Sequence, residues 1–363
     1  MNKADSPIRK ISVSQVGDLA NITYQTNRFF CLLGKGGTGK TSIASTVVAP
    51  AIGADHTQIL NFSGSSPMEV LGYGIPDAKT KDLWFSCPEN LPTRERVGNE
   101  KRLLVLDEFT DWDLAVQSLC RSIFDPVNGE AKIGTHVLGK NVKVMITGNR
   151  RQDGSNKSAV LSAPQTERQF TYILEPTLDE WVQWITDEGY GTSAILTYLD
   201  MANGLEGVDH FNPTIGTWDG SPHPCPRTWD AAIRSVSLTN DSDLQSLLLD
   251  GSVGLDAGSA CMSFLNTVAT MLPVYKKVRA GEANMGDYSP TDQYGLIHCG
   301  LRNLIKETAD DPEAHVVGRE VDWFTDNFIV PAKAEIGSWG YDTSRKNGVP
   351  LDLHPIKQVI YKD

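Results

Sequence analysis

Positive charge is in short supply: Lys plus Arg number 33 against 45 Asp plus Glu, a formal net charge of −12. That balance argues against a general nucleic-acid coat or a polybasic membrane binder. No apolar run approaches the ~18 residues that a membrane helix needs. Residues Met1–Gln15 carry no hydrophobic signal core, so no membrane association and a cytoplasmic location are expected. The cysteines (Cys31, Cys87, Cys120, Cys225, Cys261 and Cys299) include no Cys-x-x-Cys pair and read as reduced thiols packed as small hydrophobes. The histidines show no metal-ligand spacing, and no internal repeat or low-complexity tract appears. With 40% hydrophobic and 21% charged residues the chain is globular, and 363 residues suffice for one large domain or two ordinary ones.

What is present is sharper. Residues 34–41 read Gly-Lys-Gly-Gly-Thr-Gly-Lys-Thr, a full match to G-x-x-x-x-G-K-[ST]. The apolar run Phe29-Phe30-Cys31-Leu32-Leu33 before it fits a buried strand. Ser42 to Ala49 after it fits a helix, with Pro50 expected as the stop. In that context Gly34, Lys35, Gly36, Gly37, Thr38, Gly39, Lys40, Thr41 and Ser42 form a phosphate cradle of backbone N–H groups at a helix N-terminus. Lys40 would reach the β/γ-phosphates of ATP, and the Thr41 hydroxyl would ligate Mg²⁺.

A second run, Leu103-Leu104-Val105-Leu106, ends in Asp107-Glu108. In a parallel sheet such a strand ends beside the phosphates. Asp107 then holds Mg²⁺, usually through water, and Glu108 takes a proton from the attacking water. Adjacent residues suit the two tasks because they leave a strand end in different directions. A third run, Val142 to Thr147, ends in Gly148-Asn149-Arg150-Arg151, and Asn149 is the candidate polar sensor that orients the water. The loop also fits the lysine-first variant of partition ATPases. Those carry a single Asp on the acidic strand and an Asp-rich segment soon after the loop, which Gln58 to Ser65 does not provide.

Loop, Asp-Glu strand and Asn-tipped strand in this order resemble an AAA+ ATPase. The finer texture resembles the MoxR-type branch, and within it the phage-borne ATPases. Asn61-Phe62-Ser63, Pro67 to Gly72, Pro88 to Pro92, Thr147-Gly148-Asn149-Arg150 and Pro226-Arg227-Thr228-Trp229 carry that likeness, over roughly residues 25–265. It implies a three-layer α/β P-loop core with a parallel sheet, an α-helical lid, and a homo-oligomeric ring, usually hexameric, with ATP sites between subunits. By the same resemblance Arg168 reaches the neighbouring subunit's site, although Gln169 separates it from Phe170 where the family has an Arg-Phe pair; Arg150 or Arg151 could substitute. Arg227 matches the lid arginine that contacts the γ-phosphate of its own subunit.

The resemblance also implies remodelling of a protein partner, one with a von Willebrand factor A domain supplied by a separate chain. A nucleic-acid motor or loader in phage replication, and a slow ATP-gated scaffold, are the alternatives. The expected organisation is a nucleotide-binding core over 1–176, a helical lid over 177–280 and a mostly helical extension over 281–363.

Local patterns add detail. Trp112, Val116, Leu119 and Ile123 predict one helix over Asp111–Phe124, and Ile133 to Lys140 a hairpin arm. Thr177 to Glu180 is a capping box opening the lid, and 202–226 is a long connector. Residues 290–308 and parts of 312–329 are expected to be helical, and Gly337–Val349 to be loop. Phe62, Met68, Leu71 and Tyr73 are candidates for contact with a ring's pore.

Overall fold

The apolar runs become the centre of a parallel sheet because both of its faces are covered. The computed structural model describes residues 8–124, 130–153, 163–191, 193–203, 209–213, 220–310, 324–329, 332, 336–337, 340 and 342–343. They divide into two compact units, one built from Met1–Thr177 with Thr214–Asp219, the other from Leu178–Pro213 with Gly220–Asp363.

In the first unit the strands in chain order are β1 (Lys10–Ile11), β2 (Phe29–Leu33), β3 (His56–Leu60), β4 (Gly74–Pro76), β5 (Leu83–Phe85), β6 (Arg102–Leu106), β7 (Lys132–Ile133), β8 (His136–Val137), β9 (Val142–Gly148) and β10 (Gln169–Leu174). Among the described residues six of them form one sheet in the order β1-β10-β2-β9-β6-β3, with every pair parallel. Alternate residues of each strand feed opposite layers. Cys31, Leu33, Leu104, Leu106, Val144 and Ile146 pack on one side with Val70, Val116 and Ile123. Phe30, Leu32, Leu103, Val105 and Met145 pack on the other with Val16 and Tyr24 of helix Val13–Gln25 and with Ile43 and Val48. This is the three-layer α/β core.

Three local expectations change. Pro50 does not stop the helix that follows the glycine-rich loop. Ala44–Val48 widens into a π turn, and Pro50 enters at the start of Ala49–Ala51, where the wider turn absorbs its missing N–H and ring volume. The helix predicted over Asp111–Phe124 is two, Leu114–Leu119 capped by Asp113, then Arg121–Phe124, with Cys120 between them. Trp112, Val116 and Ile123 are nonetheless buried, so the periodicity reported the buried face correctly. The arm after Ala131 is shorter than expected, pairing only Lys132–Ile133 with His136–Val137.

Of the proposed pore contacts, Phe62 is buried against Trp112, whereas Met68 and Tyr73 are exposed. Tyr73 leads into the β4–β5 hairpin, where Ile75 faces Trp84 and both are exposed. His136 Nε2 donates to the Leu71 carbonyl at 2.7 Å, tying the second hairpin to the first segment.

The second unit is helical: Leu178–Ile185, Ala194–Asn203, Pro226–Val236, Ser242–Val253, Leu255–Arg279 and Pro290–Asp310. Trp229, fully buried, sits with Trp181, Tyr198, Cys261 and Phe264, and its indole N–H donates to the His210 carbonyl at 2.7 Å. A further cluster joins Tyr275, Leu296, Ile297, Phe324 and Phe328. Helix Leu255–Arg279 is, contrary to the reading of the sequence, long and apolar enough to pass for a membrane span by length and composition. Its Cys261, Phe264, Tyr275 and Val278 are buried in this unit, Leu255 and Leu272 are exposed, and 28% of its most apolar 18-residue window is buried. In Gly337–Val349, expected to be loop, the described Gly337, Gly340, Asp342 and Thr343 are helical. Packing explains these glycines, since a Cβ on Gly337 or Gly340 would come within 2.6 Å of Ile329. The remaining residues of that stretch and the expected helix over 312–323 lie outside the described residues.

Candidate active site

The parallel register delivers three strand ends to one edge. Leu33 pairs with Gly148 and Leu106 with Ile146, so the residues that follow β2, β9 and β6 emerge side by side. Gly34 N–H bonds the Gly148 carbonyl at 3.2 Å and anchors the loop to β9. Gly37 (φ 77°) and Gly39 (φ 86°) occupy the left-handed region, which admits glycine without strain. Thr38 Oγ1 donates to the Lys35 carbonyl at 3.0 Å and closes the turn from inside. A Cβ on Gly36 would meet nothing within 4 Å. The fold therefore does not demand glycine there, whereas a phosphate lying on the loop would.

Lys40 opens the helix and is buried. Its ammonium donates to the Gly34 and Lys35 carbonyls at 2.9 and 2.6 Å and to Asn149 Oδ1 at 3.1 Å. The next residue, Thr41, donates its hydroxyl to Asp107 Oδ1 at 2.8 Å. Ser42 follows on the exposed side of the same turn. Hydroxyl and carboxylate form a hard-oxygen pair beside a buried ammonium, a donor set that would suit Mg²⁺.

Asp107 and Glu108 diverge as soon as β6 ends. Asp107 turns toward β9, where Thr147 Oγ1 donates to its Oδ1 at 2.6 Å, and its backbone carbonyl accepts the Trp112 indole N–H at 2.9 Å. Glu108 takes a left-handed backbone (φ 53°, ψ 33°), a conformation costing a non-glycine residue about 1–3 kcal/mol. Its Oε2 accepts the Asn61 amide at 3.0 Å, at the end of β3. Asn149 stands at the tip of β9, its Nδ2 donating to Asp111 Oδ2 at 3.3 Å while Oδ1 holds Lys40.

Two further predicted residues are Arg168 and Arg227. Arg168 precedes β10 at the opposite end of the sheet, where its carbonyl accepts the Phe29 N–H. Arg227 is the exposed second residue of helix Pro226–Val236 in the other unit. Arg150, an alternative to Arg168, is held bidentately by Asp153, both contacts at 2.6 Å. Asn61, Thr147, Thr110 and Asp111 take part at the strand tips without having been assigned roles. Asn61 and Thr147 lie inside the segments that carried the family likeness, which was the available signal.

No family model matches the chain, and no curated protein matches it. Solved structures with some likeness include the Thermotoga maritima RuvB Holliday junction branch migration motor, 14% identical over 73% of this chain and 76% of that one, TM-score 0.34. Two point mutants of the same RuvB give 15% identity over 73% and 76% with TM-score 0.35, and 14% over 75% and 77% with TM-score 0.36. At that distance only the site's own geometry carries a functional reading.

Proposed function

We propose that the chain is a Mg²⁺-dependent AAA+ ATPase of MoxR type that assembles into a ring, hexameric by that resemblance, and remodels a protein partner. The observation that carries the ATPase is the convergence of Lys40, Thr41, Asp107, Glu108 and Asn149 at the ends of three adjacent strands. A Gly-rich turn matching the pattern by accident would not bring an Asp-Glu pair and a polar strand tip to its lysine.

Each residue then has one task. The loop N–H groups and Lys40 bind the phosphate chain. Thr41 and Asp107 would hold Mg²⁺, whose charge, when bound, offsets that developing on the transferred phosphoryl group. Glu108 accepts the proton of the attacking water, with one carboxylate oxygen steadied by Asn61 until the water is in place. Asn149 orients that water from the other side. Arg168 belongs to the neighbouring subunit's site, and Arg227 senses the γ-phosphate of its own.

The partner is a separate chain with a von Willebrand factor A domain, and the setting is the cytoplasm of a bacterial host if the gene is phage-borne. These finer points rest on the sequence resemblance.

Glu108→Gln tests the core of the reading. It should keep ATP affinity within about twofold and lose turnover by about 10²–10⁴. Light scattering on a sizing column should show its mass rising from one chain toward six when Mg·ATP is added. Turnover near wild type removes Glu108 as the base, and a single-chain mass in both conditions removes the ring. Stimulation of the wild-type ATPase by DNA would turn the client from protein to nucleic acid.

A further inference from the structure

The tips of β6 and β9 hold each other through two buried threonines. The ladder between these strands has its last paired residues at Leu106 and Ile146. Beyond it, Thr147 on β9 donates its hydroxyl proton to Asp107 Oδ1 at 2.6 Å and accepts the Glu108 N–H at 3.2 Å. Thr110, just past β6, answers in the reverse direction. It accepts the Asn149 N–H at 3.0 Å and donates to the Asn149 carbonyl at 3.0 Å. The two threonines are 0% and 2% exposed, so their hydroxyls are shielded on the protein side of these part-buried bonds. Thr110 packs directly on Gly148, the residue between Thr147 and Asn149, where an added Cβ would approach Thr110 Oγ1 to 2.6 Å.

We propose that Thr147 and Thr110 form a reciprocal clamp, two positioning residues that fix the base Glu108 and the metal-side Asp107 at a set separation from Asn149. The proposal rests on the ATPase reading and deepens it.

Thr147 performs two jobs with one hydroxyl. Accepting the Glu108 N–H steadies a residue held at positive φ, which would otherwise relax and swing its carboxylate. Donating to Asp107 Oδ1, the same oxygen that takes the Thr41 hydroxyl at 2.8 Å, restrains rotation of that carboxylate and directs both hydroxyl bonds to one of its oxygens. The Thr110 hydroxyl bonds both backbone groups of Asn149, and so acts on the sensor rather than through a hydrogen bond to either acid. The two threonines therefore have separable signatures.

The experiment compares Thr147→Val, Thr147→Ser, Thr110→Val and Thr110→Ser with wild type and Glu108→Gln. It reads steady-state turnover and the affinity for a fluorescent ATP with and without Mg²⁺. A hydrogen bond to a charged group typically contributes enough for about a tenfold to hundredfold effect. Thr147→Val should shrink the Mg²⁺-dependent gain in affinity by about tenfold or more, and lower kcat at least as much. Its affinity in EDTA should stay within about twofold. Thr110→Val should lower kcat with the Mg²⁺ gain intact. Both serine variants should recover, because serine keeps the hydroxyl that makes both bonds.

Wild-type kcat and Mg²⁺ gain in Thr147→Val, with Glu108→Gln inactive, would overturn the clamp and spare the ATPase reading. Serine variants as impaired as the valines would overturn it as well. An active Glu108→Gln would instead remove the reading beneath it. Where Thr147→Val fails to give a cooperative melt, Thr147→Cys, a weaker donor of similar size, should show the same ordered losses.

Discussion

Replacing Arg168 with alanine removes a guanidinium that cannot serve its own subunit's phosphates. Arg168 lies one residue before Gln169, which pairs with Phe29, whereas the phosphate loop begins after Leu33, opposite Ile173. Six residues of parallel strand at about 3.3 Å each put roughly 20 Å of sheet between the two. If Arg168 assists hydrolysis, it does so in another copy's site. An arginine supplied in trans is worth about 10³–10⁵ in turnover in GTPase systems, so Arg168→Ala alone should fall by at least 10³ while binding ATP normally. Glu108→Gln alone is inactive for a different reason. Mixed at equal concentration and allowed to exchange, the two inactive variants build composite sites. A site works when its own chain contributes Glu108 (probability one half) and its neighbour contributes Arg168 (one half). Phosphate release should therefore recover to roughly a quarter of the wild-type rate per site, falling away on either side of the equal mixture. No recovery at any ratio, in rings shown to exchange, refutes the assignment. Recovery from Arg151→Ala mixed with Glu108→Gln, and none from Arg168→Ala, would transfer the role to Arg151. Arg150 is expected to give none, being held by Asp153 with 13% of its side chain exposed.

Lys40→Ala deletes a buried ammonium with three oxygen acceptors, and the ATP dissociation constant should rise by about tenfold to a hundredfold in a direct binding titration; an unchanged value defeats the phosphate loop. Stability should depend on pH through His298, whose imidazole is pushed down to about 4 by burial and, to a lesser extent, by the Arg302 charge. Above pH 6.5 the ring is neutral folded or unfolded and contributes no slope; between 6.5 and about 4 only the unfolded chain takes the proton, so stability falls as pH falls, by about 3 kcal/mol in all. Denaturant melts between pH 7 and pH 4.5 should show that loss reduced in His298→Gln, and an equal loss in both proteins would refute the linkage.

How legible these features were depends on how far apart their causes lie in the chain. The loop, the Asp-Glu strand and the Asn-tipped strand could be read because each is a short run whose flanks carry the whole signal. The buried face of Trp112, Val116 and Ile123 was legible for the same reason, but the break at Cys120 was not. Periodicity reports which side faces the core, not whether the backbone is continuous. Pro50 misled because its usual effect was cancelled by a π turn that begins six residues earlier, at Ala44. Asn61, Thr110 and Thr147 could not be given their partners from sequence. Their contacts depend on the register of β3, β6 and β9, which are separated by long stretches of chain and fixed only when the sheet forms.

That register also accounts for the backbone of Glu108. Consecutive residues of a strand point to opposite faces of the sheet, so an extended Asp-Glu pair would send one carboxylate into each layer. Both layers here are filled with apolar side chains, by Leu104 and Leu106 on one side and Leu103 and Val105 on the other. A carboxylate continuing either row would enter that packing without water. Turning the chain into the left-handed region at Glu108 ends the alternation at the sheet's edge, with Asp107 directed to Thr41 and Thr147 and Glu108 to Asn61. The strain of about 1–3 kcal/mol at that residue is the cost of keeping two adjacent carboxylates out of the apolar layers. The Thr147 hydroxyl accepts the Glu108 N–H at 3.2 Å and the Glu108 carbonyl accepts the Asp111 N–H at 2.8 Å, so the strained residue is hydrogen-bonded on both sides.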